Sequence, residues 1–350
     1  PNRHVLVAEI LDTDSPRAWE LVSEAYARQA GEFFTKTDLV IVRRIFLSHE
    51  PMVLHHAAVI AHQIAARHPT LAVELICTAD FGANPRATHD FFMWLAHRQT
   101  IPTEVITKPQ WEILIQRLAR LRELDDHWVR AFLKKAVAES PAEVIKMLQA
   151  RLVEDARSFE FRTLRRDRKG AGLALLSHSD GITILRDFLA WAVHQQVGRN
   201  LAMDIGSTVS GLCGKYGPDV LGLLLELLSG GTQAHVDVVA SVLRSAHQTF
   251  VLEETPFIRQ ALNQAEVVSE QAARDLSSAL WSATVTGGSG GAVGEPFKED
   301  LDLKAHSEEV LKGLSKLDPM CSFYSDLIRH ANENIDRQAR EKKAMLEEEE

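Results

Sequence analysis

The chain lacks any run of about 18 uninterrupted apolar residues, which excludes a transmembrane helix by the usual length criterion. Its start, Pro1-Asn2-Arg3-His4, has no signal-peptide layout. Cysteine is scarce. Cys77, Cys213 and Cys321 lie far apart, which argues against a disulfide scaffold or a cysteine-based zinc site and fits a reducing, cytoplasmic compartment. Alternating apolar and polar residues are rare and hairpin signals are sparse, so a β fold is excluded. Positive charge is not in excess either. A net charge of −9 disfavours a generic nucleic-acid coat, although it leaves room for a local basic stripe.

What is present describes a folded helical protein. The 350 residues are 45% hydrophobic and 25% charged, ordinary globular values. That length suits two or three compact domains or one elongated repeat domain. Proline punctuates the chain: segments with an apolar residue every three or four positions begin at Pro69, Pro141, Pro218 and Pro256, and weaker ones at Pro1, Thr37, Pro109 and Asp180. Successive starts lie about 36 residues apart on average, a repeat-protein period. Proline is tolerated in the first helical turn, where its missing N–H has no intrahelical partner to lose. Ser15-Pro16, Ser140-Pro141 and Thr255-Pro256 read as an N-cap followed by proline at the first helical position. Each interval has room for a second helix, and apolar spacing predicts these over 52–67, 128–138, 201–212, 236–246 and 272–283.

The proline-started first helix, the two-helix period and spacings such as Val73, Leu75, Ile76 and Val144, Ile145, Leu148 resemble the HEAT/armadillo-like repeat family over residues 1–285. Tetratricopeptide repeats are the alternative, but their Trp, Gly and Tyr placements do not recur. The resemblance implies an all-α fold, a right-handed α-solenoid of about eight antiparallel helix pairs with a C-terminal helical cap. Residues 286–296, rich in glycine, read as a flexible linker, and 297–350 as a cap and connector helix. The chain starts at Pro1 rather than Met and stops within a helix at Glu347–Glu350, so it reads as a fragment of a longer protein. Such arrays are also similar to the target-sensing arms of bacterial STAND-NTPase-type proteins, some of which act in antiviral defence.

Catalytic signatures are weak. His49, His55, His56 and His62 cluster, but His55 and His62 are seven apart, whereas a metal pair on one helix is four apart. Gly214-Lys215 lacks the spacing and the Ser/Thr of a P-loop. Ser177, His178 and Asp180 hold triad residue types but are sequence neighbours, which seldom converge. Cys321 and His330 are too far apart along one helix to pair. Asp125-Asp126 and Glu253-Glu254 read as complements to helix dipoles. The six tryptophans read as core packing between repeats, with Trp94 a partner hot spot if exposed. No cofactor or metal is expected, and the chain reads as non-catalytic.

The most suggestive feature is basic. Arg157, Arg162, Arg165, Arg166, Arg168 and Lys169 face only Glu160 and Asp167. Arg130 and Lys134, with Lys135 beside them, lie on the second helix of the preceding unit, the helix that commonly lines the concave face of a solenoid. A partner or phosphate site is therefore expected at Arg130, Lys134, Arg162, Arg165, Arg166, Arg168 and Lys169. The expected function is a protein-interaction scaffold or target-sensing repeat domain, binding a protein partner or another domain of its parent chain. The alternative is a binder of nucleic-acid backbone through 157–169.

Overall fold

A computed structural model describes residues 3–13, 15–29, 34–80, 85–97, 101–121, 123–124, 126–158, 164, 172–195, 199–247, 249–285, 295–315 and 318–348. The described residues are all-helical, with no β-strand. Eighteen helices are formed among them, and no helix is long and apolar enough to cross a membrane. The chain divides into two compact units, residues 1–164 with 173–184, and residues 165–172 with 185–350.

The first unit holds α1 (Arg3–Leu11), α2 (Pro16–Arg28), α3 (Lys36–Phe46), α4 (Pro51–Ala65), α5 (Pro69–Thr78), α6 (Pro85–Ala96), α7 (Lys108–Leu118), α8 (His127–Glu139) and α9 (Pro141–Ser158). Local chemistry sets the starts. Ser15 accepts from the Ala18 amide before Pro16. Thr35 and Asp38 form a reciprocal capping box, which satisfies two amides that the helix itself leaves unpaired. Asp126 accepts from the amides of Trp128 and Val129 at 2.9 and 3.2 Å.

Helices in this unit pack on sequence neighbours, as α4 does on α5, and also on the helix two positions away. α2 packs on α4, α4 on α6 and α6 on α8, while α1 packs on α3, α3 on α5, α5 on α7 and α7 on α9. Two layers result, one of even and one of odd helices. Aromatic contacts join different helices: Phe46 of α3 with Phe91 of α6, Phe92 of α6 with Phe132 of α8 (ring centroids 4.9 Å apart) and Trp111 of α7 with Phe132. The four phenylalanines Phe46, Phe91, Phe92 and Phe132 of α3, α6 and α8 are fully enclosed.

Polar side chains repeat the same skip. The last turn of a helix leaves carbonyl groups without intrahelical donors, and here a side chain from two helices further on supplies the donor. Gln63 of α4 donates to the Ala27 carbonyl of α2. Arg117 of α7 donates to Ile76 and Cys77 of α5, Lys135 of α8 to Leu95 of α6, and Arg151 of α9 to the end of α7. A cation at that end also complements the helix dipole.

The second unit contains α11 (Arg199–Cys213), α12 (Pro218–Leu228), α13 (Gln233–Arg244), the single turn α14 (Phe250–Glu253), α15 (Thr255–Val268), α16 (Glu270–Val285), α17 (Lys298–Lys312) and α18 (Met320–Glu348). The unit boundary falls inside α10 (Gly181–His194). α11 packs on α13 and α13 on α16, α12 packs on α15, and α17 pairs with α18, which also meets α16. Gly206 sets the α11–α13 crossing, because any Cβ there would collide with the Ser241 carbonyl. Gly214, at φ +70°, ends α11 in the left-handed region, where glycine has no steric penalty.

One local reading changes. Thr255 is the first helical residue of α15 rather than its cap, and its hydroxyl instead meets His306 Nε2 (3.1 Å) and Tyr324 (3.4 Å). Glu253 lies in the first turn of α14 and Glu254 at the N-cap of α15, and Glu253 also pairs with Lys215 at 2.5 Å. Most of the 286–296 linker and most of the basic stretch 157–169 lie outside the described residues.

Candidate functional site

The site is built on α8. Val129, Phe132, Leu133, Ala136 and Val137 form its buried stripe, and this 3–4 spacing fixes which residues remain outside. Arg130 is half-buried and Lys134 is exposed. Lys135 is half-buried with its ammonium committed to the Leu95 carbonyl at 2.9 Å. Of the expected basic residues, Arg130 and Lys134 thus share one helix in the first unit. Arg162, Arg165, Arg166, Arg168 and Lys169 lie outside the described residues.

Opposite α8 runs the segment after Leu173. Leu173 and Leu175 are buried, Ala174 sits at φ +62°, and Leu175–Ser177 forms a 3-10 turn that packs on α8. A left-handed alanine is uncommon, so the surrounding packing holds the turn in place. Gly181 is required where α10 begins, since a Cβ there would meet the Leu175 carbonyl.

Between the turn and α8 lies a cavity of about 570 Å³. Ala131, Ala138, Leu173 and Ala174 supply apolar walls, and Lys134, Glu139, Ser177 and His178 supply polar groups. An apolar recess with a few polar groups at its edge is the common composition of a binding pocket. His178 Nδ1 accepts from the Asp180 amide at 3.1 Å, so the backbone of Asp180, not its carboxylate, meets the imidazole. The Ser177-His178-Asp180 stretch serves as a turn that presents polar groups to the cavity.

The histidine cluster disperses to separate neighbours. His55 Nδ1 meets Asp90 at 2.6 Å and His56 Nδ1 meets Ser23 at 2.8 Å, while His62 stacks on Trp94 with ring centroids 3.7 Å apart. Burial lowers the pKa of both His56 and His62. Trp94 is half-buried under that stack and Trp111 is buried, whereas Trp281 is exposed. Burial pushes the Cys77 thiol up to about 11, against the nearby Arg117 charge, and the Cys213 thiol to about 12; both are poor nucleophiles in that state. Cys321 donates to the Ser315 carbonyl at 2.9 Å, and His330 meets Trp281 edge-on.

Spacing analysis missed the donors at the helix ends, Gln63, Arg117 and Arg151. Their only sequence signal is a separation of 30 to 41 residues from the carbonyls they meet, close to the expected period of about 36. No protein-family model, curated protein or solved structure matches the chain.

Proposed function

We propose that the chain is a HEAT-like α-solenoid of about eight helix pairs that acts as a non-catalytic interaction scaffold. It binds an acidic segment of a protein partner, or of its parent chain, on the even-helix layer of the first unit. The architectural part rests on the skip-one packing and on polar contacts one repeat apart, a nearest-neighbour arrangement typical of solenoids. The binding part rests on one observation: Lys134 stands exposed at the edge of the 570 Å³ cavity against α8. A partner carboxylate meeting Lys134 while an apolar neighbour enters the recess would use both features. A cytoplasmic location, and a place as the sensing arm of a larger STAND-NTPase-type protein, belong to the same reading.

The test is affinity capture from lysate of the source cell at low and at high salt, with protein and nucleic acid both analysed. A defined protein retained at high salt by the wild type and lost by Lys134→Glu supports the scaffold. Nucleic acid that is captured at low salt and vanishes at high salt would replace it with backbone binding through 157–169.

A further inference from the structure

A second cavity, of about 210 Å³, lies wholly within the second unit. One water molecule takes about 30 Å³ of liquid volume, so the space admits a small organic group. It is bounded by the start of α14, the end of α16, the first turns of α17 and the middle of α18.

Its polar lining is nearly all acceptor. Asp300 is 93% buried, being 7% exposed. Its Oδ1 accepts from Asn334 at 3.1 Å, but Oδ2 is buried with no hydrogen-bond partner. Glu299 and Asp302 add two exposed carboxylates to the lining. Thr249 spends its hydroxyl proton on Glu253 and Thr284 spends its proton on the Leu280 carbonyl, which leaves both oxygens as acceptors. His330 Nε2 faces the Asn334 amide at 3.1 Å, and burial lowers the His330 pKa despite the opposing charges of Asp300 and Glu333. Arg337 of α18 is exposed and engaged with Asn334 Oδ1 at 3.1 Å. Leu252, Val285 and Leu303 line the remaining wall.

A buried carboxylate with one oxygen unpaired is costly, and a donor-rich cation removes that cost. An anion would meet three carboxylates. A divalent metal needs several converging ligands, and among the described residues no three carboxylate, imidazole or thiolate groups are placed to hold one. We infer that this cavity is a binding site for an organic cation, a guanidinium or primary ammonium on an aliphatic stem. Its head meets the Asp300 carboxylate and the threonine oxygens, its charge is balanced by Glu299 and Asp302, and its stem lies on Leu252, Val285 and Leu303. The ligand is either a free amine or guanidine, or a Lys or Arg side chain of a peptide. The site is independent of the scaffold surface on α8.

Titration calorimetry on the full chain tests this with three probes: agmatine, the peptide acetyl-Gly-Arg-Gly-amide, and the same peptide with citrulline, which keeps the shape and loses the charge. At least one of the two cations binds in the millimolar range or tighter, and citrulline does not. Asp300→Asn weakens binding at least tenfold, and the exposed Asp302→Asn, which leaves the fold intact by circular dichroism, weakens it about threefold, the loss of one partly screened charge. Agmatine alone binding identifies a free small cation, and the peptide binding as well or better identifies a side chain. Failure of both cations to bind, equal binding of citrulline, or unchanged binding in both variants overturns the proposal. So does magnesium binding that Asp300→Asn abolishes while neither organic cation binds.

Discussion

Arg151 closes the C-terminal end of α7 through Leu118, its Nη1 donating to that carbonyl at 2.9 Å. The same nitrogen reaches Ala119 at 3.2 Å and also Leu121. The side chain is only 2% exposed, and these backbone carbonyls accept from its charged head. Arg117 does the same for α5, which makes the contact a property of the stacking rather than of one site.

Arg151→Met keeps the volume and removes the guanidinium donors from the Leu118, Ala119 and Leu121 carbonyls, of which Leu118 keeps the Leu121 amide at 3.2 Å. The expected loss is about 2–4 kcal/mol of unfolding free energy. Arg117→Met, at a half-buried position, should cost about 1–2 kcal/mol. Urea denaturation read by circular dichroism gives both values, and a loss below about 0.5 kcal/mol for Arg151→Met would remove the helix-end contact from the stability argument.

Two glycines of the second unit should respond with opposite signs. Gly206→Ala forces a methyl group against the Ser241 carbonyl, an overpacking cost of about 1–3 kcal/mol. Gly222, inside α12, has open space where a Cβ would stand, so Gly222→Ala should stabilise by about 0.5–1 kcal/mol through helix propensity. Equal effects at the two positions would contradict the crossing geometry of α11 and α13.

Stability should fall on mild acidification. Burial, aided by the His97 charge, holds His62 below its ordinary 6.5, and burial likewise lowers His247 and His306. A histidine with a depressed folded pKa binds protons more readily when unfolded, so its contribution is complete above 6.5 and is lost as pH falls through the folded pKa. Denaturation midpoints measured at about pH 7.5 and about pH 5.5 should drop in the wild type and drop less in His62→Gln. An equal drop would place the acid sensitivity elsewhere.

Glu253 governs a more acidic window. Its hydrogen bond to Lys215 is the main reason its pKa lies near 2 instead of 4.5; burial pushes upward, and Thr249 and His247 help hold it down. The stabilisation is present above 4.5 and disappears as pH falls towards 2. The pair is about a third exposed on the Glu253 side, so solvent screening keeps its energy small. Carboxyl-resolved NMR titration should find Glu253 moving back towards 4.5 in Lys215→Met. An unchanged value would show that the ion pair is not the cause.

Much of the helical layout was readable from residue order, because proline and apolar spacing act locally. The starts expected at Pro69, Pro141 and Pro218 coincide with α5, α9 and α12, and those at Thr37, Pro109 and Pro256 fall one residue inside α3, α7 and α15. Contacts between helices distant in sequence were not readable. Arg151 looks like any helix-surface arginine until α7 is placed beside α9, and Asp300 looks like an ordinary first-turn acid. The cavity on α8 depends on Ala174 at φ +62°, and alanine gives no advance sign of a left-handed turn. Thr255 was misplaced by one residue because threonine before proline suits both the cap and the first helical position.

The most direct test is the affinity of the captured partner for the wild-type chain and for Lys134→Glu, measured by calorimetry at physiological salt. Reversing this charge at the cavity edge should weaken binding at least tenfold, or about 1.4 kcal/mol, with the thermal unfolding midpoint unchanged. Affinity within twofold of wild type would contradict partner binding at the α8 cavity.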